Sequence, residues 1–174
     1  MNLILIVAVD RNFGIGLNGD MLFYIKDDLK RFKQLTINNI IIMGRGTFEA
    51  LPGSKELEGR TNIVLSRSQI KTKSAIVVKS IKELDNKLKE INPYNKKKNF
   101  LIGGGKLITT LWNNIDKAII TVAEKEYKKV DTFIPNIFED KNFKITSMSE
   151  EKYDEINKFN YRYYEFTRDK TVSL

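Results

Sequence analysis

The chain has 174 residues, of which 41% are apolar, and a formal net charge of +8. This length and apolar content are typical of one folded domain, so we expect a single domain over residues 1–174. Because the sequence contains no cysteine and no histidine, it excludes disulfides, thiol nucleophiles, zinc sites built from Cys or His, and imidazole acid–base catalysis. No metal site is predicted.

The positive charge indicates an acidic partner, which could be a nucleic acid or a small phosphorylated molecule. The lysines are scattered, and the one dense run, Lys96–Lys98, lies in a polar stretch without an aromatic-rich binding stripe. We therefore expect this run to be a solvated loop, and we expect no nucleic-acid partner.

The apolar run Leu3–Val9 lies near the start of the sequence. No cation precedes it, no small-residue cleavage site follows it, and it is far too short to span a bilayer. The sequence thus predicts a soluble, cytoplasmic protein with no membrane contact.

The first half of the chain alternates between strand-like and helix-like segments. Continuous apolar, β-branched runs predict buried strands, whereas apolar residues at helical spacing predict helices. In chain order we expect a central strand Asn2–Val9, a functional loop over residues 10–24, a helix Asp27–Leu35, a strand Ile40–Met43, a short helix Thr47–Leu51 and a strand Thr61–Ser66.

The second half continues this alternation until the pattern changes beyond Pro135. The order there is a strand Ala75–Val78, a helix over residues 80–91 whose Ser80 and Glu83 have capping-box spacing, a strand Asn99–Ile102, a helix from the following glycines to about Trp112, a strand Lys117–Ala123, and antiparallel strands Phe143–Met148 and Tyr161–Thr167. This order predicts a single-domain α/β protein with a mostly parallel sheet of about eight strands, an antiparallel C-terminal edge and flanking helices.

Two glycine turns follow predicted strands, at residues 43–47 and at Gly103–Gly105. In a parallel sheet, ligands bind at the carboxyl ends of strands, where helix N-termini offer free N–H groups to phosphates. Each turn alone is equally well explained as an ordinary connection. Together with Arg45, Arg67 and Lys79 at neighbouring strand ends, they favour a dinucleotide that carries an extra phosphate.

Two adjacent acids, Asp27 and Asp28, open the helix after the long loop. Asp28 falls on the apolar side with Ile25, Leu29 and Phe32, while Asp27 is rotated outward. Both acids could simply complement the helix dipole. Alternatively, Asp28 lies at the edge of an apolar cleft, where it would grip a cationic or N–H-rich heterocycle and have a perturbed pKa.

Six segments of the chain together resemble the dihydrofolate reductase family: AVDRNFGIG, DDLKRFK, IIIMGRGTFEAL, GRTNIVLSR, LIGGGKL and VDTFIP. They occur in the order and spacing of a bacterial-type member, from Leu3 to about Pro135, and the C-terminal strand pair is consistent. The resemblance implies that NADPH reduces 7,8-dihydrofolate to tetrahydrofolate, by hydride transfer to C6 of the pterin and protonation of N5. We also expect a monomer.

The resemblance implies a role for each residue that matches a family motif. Asp28 would be the catalytic carboxylate, the one ionisable group in the pterin pocket, bonded to the ring amidine and raising the basicity of N5, which takes its proton from water. Arg60, assisted by Lys33, would pair with the glutamate carboxylate of the substrate, and Thr121 would support Asp28. The implied substrate-binding residues are Ile4, Ile6, Met21, Leu29, Phe32, Lys33, Leu51, Leu57, Arg60, Ile102 and Thr121.

The cofactor is expected to bind at the glycine turns and the neighbouring cations. The implied cofactor-binding residues are Ala8, Ile15, Gly44, Arg45, Thr47, Ser66, Arg67, Lys79, Gly103, Gly104, Gly105 and Lys106. The resemblance also implies a cis peptide bond between Gly103 and Gly104.

The sequence departs from the family pattern at three places. Leu22–Phe23 stands where Pro-Trp is usual, Ile108 replaces a common tyrosine near the nicotinamide, and Gly46 replaces a frequent cationic or bulky residue. These departures bear on lid closure, rates and inhibitor response rather than on the reaction.

Two other functions would also account for parts of this pattern. A related pyrimidine or pterin reductase of the same fold would keep the NADPH residues but not Asp28 together with Arg60, and both are present. A basic nucleic-acid-binding module would instead form a salt-sensitive DNA complex and would not bind a nicotinamide cofactor.

Overall fold

The computed structural model describes residues 1–172, so residues 173 and 174 of the predicted domain lie outside the described part. The strands are β1 (Leu3–Val9), β2 (Gly14–Leu17), β3 (Asp20–Met21), β4 (Ile40–Gly44), β5 (Thr61–Leu65), β6 (Ile76–Val78), β7 (Asn99–Gly103), β8 (Ile115–Ala123), β9 (Thr132–Phe133), β10 (Phe143–Met148), β11 (Lys152–Asp154) and β12 (Phe159–Arg168). The α-helices are α1 (Lys26–Thr36), α2 (Arg45–Ala50), α3 (Ile81–Ile91) and α4 (Gly105–Thr110). None of these helices has the length and apolar character that crossing a membrane requires.

The main sheet has the strand order β10-β12-β8-β1-β7-β4-β5-β6, and β11 pairs with β12 beside this path. The pairs that β1, β4, β5, β6, β7 and β8 make with one another are parallel, whereas β12 runs antiparallel to both β8 and β10. The predicted α/β fold, with its mostly parallel sheet and antiparallel C-terminal edge, is confirmed. Since β1 lies between β8 and β7, its central position is confirmed as well.

Four short strands were not predicted. The loop expected over residues 10–24 contains β2 and β3, which join β9 in a separate small sheet of order β3-β2-β9. The polar stretch over residues 149–160 contains β11. These strands have two to four residues, too few to establish an alternating pattern, so their pairing partners rather than local periodicity define them.

Two apolar clusters fill the space between the sheet and its helices. Alternation along β4 sends Ile40 and Ile42 into one cluster, with side chains of α3 and α4, and sends Ile41 and Met43 into the other, with Phe48 of α2. At the start of α3, the Ser80 hydroxyl accepts a hydrogen bond from the Glu83 N–H (3.1 Å), as the capping-box spacing predicts.

Helix α1 differs from a typical surface helix, because Thr36 is its one fully buried residue. Its apolar side chains Leu29 and Phe32 lie along an open cleft, which explains why Leu29 is 43% exposed. The helix thus forms a wall of the cleft rather than a cover for the core.

Candidate active site

A large cleft of about 1220 Å³ opens at the carboxyl ends of β1, β4, β5 and β7. This is the edge at which parallel α/β sheets bind their ligands. The volume exceeds the roughly 300–1000 Å³ that is typical of a pocket for one small ligand. The cleft therefore has room for a dinucleotide and a second molecule beside it.

Asp28 points into this cleft from the first turn of α1. The Thr121 hydroxyl of β8 donates a hydrogen bond of 2.7 Å to Asp28 Oδ1. The residue that precedes the helix, Ile25, makes no side-chain cap, and Asp27 is exposed. The predicted orientations of both acids are confirmed, and the hydrogen bond of Asp28 goes to the sheet rather than to the helix end.

The environment of Asp28 perturbs its carboxyl. Burial raises the pKa of Asp28 above its ordinary value, while the Thr121 hydrogen bond and the charge of Arg31 act in the opposite direction. Because Thr121 contacts Oδ1, the second carboxylate oxygen is available to a ligand. A half-buried carboxylate in an apolar wall suits a flat ring that presents neighbouring N–H groups.

Ten of the eleven predicted substrate-binding residues line the cleft: Ile6, Met21, Leu29, Phe32, Lys33, Leu51, Leu57, Arg60, Ile102 and Thr121. These residues and Asp28 are called the substrate half, after the role that the resemblance implies for them. The eleventh, Ile4, lies outside the lining, because it sits deeper along β1 and packs against the cluster that contains Ile41 and Phe100.

Arg60 lies at the end of the substrate half, on the loop that precedes β5. Its Nε donates to the Glu58 carbonyl (3.0 Å) and its Nη1 to the Thr36 hydroxyl (3.3 Å). Burial lowers the pKa of Arg60, but a guanidinium keeps its charge in proteins. Asn62 holds the same loop through hydrogen bonds to Leu57 and to the Arg60 carbonyl, so Arg60 is presented to the cleft from a braced backbone.

Eleven of the twelve predicted cofactor-binding residues line the same cleft: Ala8, Ile15, Gly44, Thr47, Ser66, Arg67, Lys79, Gly103, Gly104, Gly105 and Lys106. These residues are called the cofactor half, after the role that the resemblance implies for them. Ser66, Arg67 and Lys79 follow β5 and β6 and provide one hydroxyl and two cations, a donor set that suits phosphate oxygens. Arg45 is not part of the lining, because its guanidinium pairs with Glu49 (Nε to Oε1, 2.6 Å) and with Ser68.

The glycine turn after β7 brings two backbone segments close together. The Gly103–Gly104 peptide bond is cis, as the resemblance implied. Gly103 has a φ of +155°, and a Cβ atom there would lie 2.8 Å from Thr47 Oγ1. A side chain at Gly103 would therefore displace the start of α2 from this edge of the cleft.

The segment that follows β2 contributes two polar side chains to the cleft that the sequence did not indicate, those of Asp20 and Tyr24. The Tyr24 hydroxyl donates to Asp20 Oδ1; this hydrogen bond and burial raise the pKa of Tyr24 to about 12. Asp28 is therefore not the one carboxylate of the cleft as a whole, although Asp20 is exposed and engaged within its own loop. No periodicity marked these residues, because both lie in the aperiodic stretch of residues 10–24.

The three departures from the family pattern have different positions. Phe23 is buried, where it stacks on Tyr127 (centroids 5.8 Å apart) and meets Phe159 edge-on (5.3 Å). Ile108 is fully buried in the core, while Gly46 lines the cleft. Of the three, Gly46 therefore has the most direct effect on the shape of the binding surface.

Comparison with known proteins agrees with this geometry. The sequence model described as dihydrofolate reductase matches residues 2–168. This chain belongs to the dihydrofolate reductase family. It is 33% identical to the dihydrofolate reductase of Haemophilus influenzae over 97% of this chain and 99% of that one, and 31% identical to the Bacillus subtilis enzyme over 91% and 89%.

A solved structure supports the same family assignment. The dihydrofolate reductase of Enterococcus faecalis, complexed with NADP(H) and RAB-propyl, superposes with a TM-score of 0.81 and 28% identity, covering 96% of each chain. The dihydrofolate reductase family explains the cleft better than a nucleic-acid-binding module does. Lys96–Lys98, the densest basic run, forms an exposed loop before β7 and does not line the cleft.

Proposed function

We propose that this cleft is the active site of a dihydrofolate reductase, with dihydrofolate bound in the substrate half and NADPH in the cofactor half. Family membership establishes the activity, the NADPH-dependent reduction of 7,8-dihydrofolate to 5,6,7,8-tetrahydrofolate. The roles of individual residues are our proposal. The main support for these roles is the half-buried Asp28 carboxylate, which accepts a hydrogen bond from Thr121 in the same cleft as the glycine turns.

Asp28 is the catalytic carboxylate of this proposal. In its ionised form it accepts hydrogen bonds from the neighbouring N–H groups of the pterin amidine, with Thr121 fixing the orientation of Oδ1. Negative charge at this end of the ring favours positive charge on the pterin, which raises the basicity of N5. N5 then takes its proton from water, as the family resemblance implies.

Arg60 recognises the other end of the substrate. Its remaining N–H groups form a charge-assisted pair with the carboxylate of the glutamate tail, and Lys33 on α1 adds a second positive charge. The apolar side chains between Asp28 and Arg60, which include Leu29, Phe32 and Leu57, enclose the ring system in between.

The cofactor half fits NADPH because its donors match the phosphates of that molecule. When bound, NADPH supplies the hydride that goes to C6. Ser66, Arg67 and Lys79 hold the extra phosphate, and the backbone at Gly44 and at Gly103–Gly105 approaches the remaining phosphates closely. Arg45 joins them only after it exchanges its contacts with Glu49 and Ser68.

Two further expectations stay predictions. The first is a monomer, and light scattering after size-exclusion chromatography measures the mass directly. A cytoplasmic location can be examined by fractionation of the source cells.

The test is the loss of NADPH absorbance when the purified protein is mixed with dihydrofolate, against a control without substrate. A dihydropterin that lacks the glutamate tail serves as the comparison substrate. We expect a clearly higher kcat/KM for dihydrofolate, because the tail alone reaches Arg60. Equal values for both substrates would contradict the role of Arg60, and no oxidation of NADPH would contradict the function.

A further inference from the structure

Behind the proposed catalytic carboxylate, the helix and the sheet make two contacts side by side. In the first, the Thr121 hydroxyl donates to Asp28 Oδ1 at 2.7 Å. In the second, the guanidinium carbon of Arg31 lies 4.1 Å from the ring centroid of Tyr163. The mechanism proposed above does not involve the Arg31–Tyr163 contact.

The secondary structure sets these two contacts in register. Asp28 and Arg31 are three residues apart on α1, so their side chains lie on the same helix face. Thr121 on β8 and Tyr163 on β12 are direct partners in the antiparallel ladder, so their side chains stand next to each other on one face of the sheet. Each helix side chain therefore meets its own sheet partner, which gives a two-by-two array.

We propose that Tyr163 and Arg31 are positioning residues for Asp28: the Tyr163 ring clamps the guanidinium of Arg31 on the helix face that Asp28 shares, where its positive charge favours the ionised carboxylate. A guanidinium over an aromatic face is an attractive cation–π geometry. Both side chains are half-buried, so the charge of Arg31 is less screened than that of a fully exposed cation. The inference rests on the proposed role of Asp28, which it deepens.

The pKa directions agree with this geometry. The positive charge of Arg31 opposes the effect of burial on the Asp28 carboxyl. Burial and the negative charge of Asp28 both raise the pKa of Tyr163, as expected if the phenol and the carboxylate are close. Tyr163 is therefore neutral and acts through its ring.

Other charged and titratable groups surround Asp28, and the test must separate them from Arg31. Those on the packed elements and along the cleft are Asp27 and Lys33 on α1, Tyr161 on β12, Lys152 and Asp154 on β11, and Asp20, Tyr24 and Arg60 in the cleft. Arg31 is the cation that the pKa of Asp28 responds to, after burial and the Thr121 hydrogen bond.

The experiment is a carboxyl-carbon NMR titration of Asp28 in the complete protein, with the signal assigned by its loss in Asp28→Asn. Arg31→Met removes the charge and keeps much of the side-chain length. We expect the pKa of Asp28 to rise, so that the ratio of protonated to ionised carboxyl at a fixed pH increases about fivefold, the size of a Coulomb interaction of ~1 kcal/mol. Lys30→Met is the matched control, since Lys30 is an exposed cation on the same helix.

Two variants of Tyr163 test the clamp. Tyr163→Phe keeps the ring and should titrate like the wild type, whereas Tyr163→Leu removes the ring and should move the pKa of Asp28 toward the Arg31→Met value. Thermal unfolding verifies that each variant is folded; if Tyr163→Leu is not, Tyr163→Met, which also removes the ring, takes its place. An unchanged titration in Arg31→Met or in the folded variant without the ring, an equal rise in Lys30→Met, or a rise in Tyr163→Phe overturns the proposal.

This titration does not depend on turnover. If Asp28→Asn were fully active while Arg31→Met still raised the pKa of Asp28, the catalytic role of Asp28 would fail and the array would stand as a structural feature. If Asp28→Asn lost activity and the titration stayed unchanged, the catalytic role would stand and the array would fail.

Discussion

The two halves of the cleft are built differently. In the substrate half, the carboxylate of Asp28 comes from an 11-residue helix and is held by Thr121, which is 3% exposed in the centre of the sheet. In the cofactor half, the cations Arg67 and Lys79 are exposed on segments that follow short strands. One half thus fixes a single group rigidly, while the other distributes positive charge over adaptable side chains.

This difference has consequences for mutation. Loss of the rigidly held Asp28 carboxylate removes a contact that no neighbouring group replaces, so the effect should appear mainly as a lower rate of turnover. Loss of one cation from a dispersed set weakens binding, but the remaining donors still hold the phosphate. Variants of the two halves therefore test whether this difference is real.

The largest expected effect is that of Asp28→Asn. Turnover of dihydrofolate near neutral pH should fall by roughly 10²–10⁴-fold, the range for a lost acid–base group, with little change in NADPH affinity. Acid should partly restore turnover, because more of the substrate already carries the N5 proton. Steady-state kinetics across pH measure both effects. Asp27→Asn, the outward-facing neighbour, should behave like the wild type; if both variants behaved alike, the catalytic assignment would be wrong.

The next effect is that of Arg67→Ala in the cofactor half. Removal of a charge-assisted contact to the extra phosphate should weaken NADPH binding by about 1.5–3 kcal/mol and leave NADH binding nearly unchanged. Fluorescence titration with each cofactor gives the two dissociation constants. Arg11→Ala removes an equal charge from an exposed position outside the cleft lining and should change neither. Equal losses for both cofactors would make Arg67 a structural residue.

A smaller effect is expected from Thr121→Val, which keeps the shape of the side chain and removes the hydroxyl. The pKa of Asp28 should rise, because the hydrogen bond that favours its ionised form is lost. The kcat/KM for dihydrofolate should fall roughly twofold to tenfold, the equivalent of about 0.5–1.5 kcal/mol. Thr121→Ser retains the donor and should restore most of the activity. A normal Thr121→Val enzyme would show that Asp28 is positioned without the Thr121 hydrogen bond.

The sequence was sufficient to predict the elements that have their own periodicity. Strands such as β1 and β4, and the capped helix α3, follow from apolar patterns that do not depend on distant partners. The short strands β2, β3 and β9 could not be predicted, since the pairing of Gly14 with Phe133 joins residues that are far apart in the chain. Strand order and register depend on such contacts as well.

The candidate site shows the same limit. Periodicity placed Asp28 on the inner face of α1, but the identity of Thr121 as its partner came from the family resemblance and not from any local pattern. The contact of Arg45 with Glu49 was available from their i, i+4 spacing, although the charge of Arg45 had suggested a cofactor contact instead. Ile4 and Ile6 share one face of β1, and only the structure shows that Ile6 alone reaches the cleft.

Glu56 connects the two halves from the outside of the cleft. Its Oε1 accepts hydrogen bonds from the backbone N–H groups of Lys73 (2.7 Å), Ser74 (2.8 Å) and Ala75 (3.0 Å), and from the Thr72 hydroxyl. Glu56 directly precedes Leu57 of the substrate half, while the segment that it binds leads into β6 and on to the cofactor half. This carboxylate therefore fastens two cleft loops together.

The smallest expected effect, on stability alone, is that of Glu56→Gln. The hydrogen bonds from the Ser74 N–H, the Thr72 hydroxyl and the Ala75 N–H, the first with the largest effect, lower the pKa of Glu56 from 4.5 to about 2. A lowered folded-state pKa gives stability that is present above the unfolded value and is lost as pH falls from about 4.5 toward about 2. Glu56→Gln should therefore unfold at a lower temperature than the wild type near pH 7, and this difference should shrink through that acidic window. Paired calorimetric scans from pH 7 to acid isolate the contribution of Glu56, because the other carboxylates titrate alike in both proteins.

The control is Glu58→Gln, since Glu58 is exposed on the same loop; the difference in unfolding temperature between this variant and the wild type should not shrink with acid. A constant difference between wild type and Glu56→Gln at every pH would mean that shape rather than charge holds the two loops together.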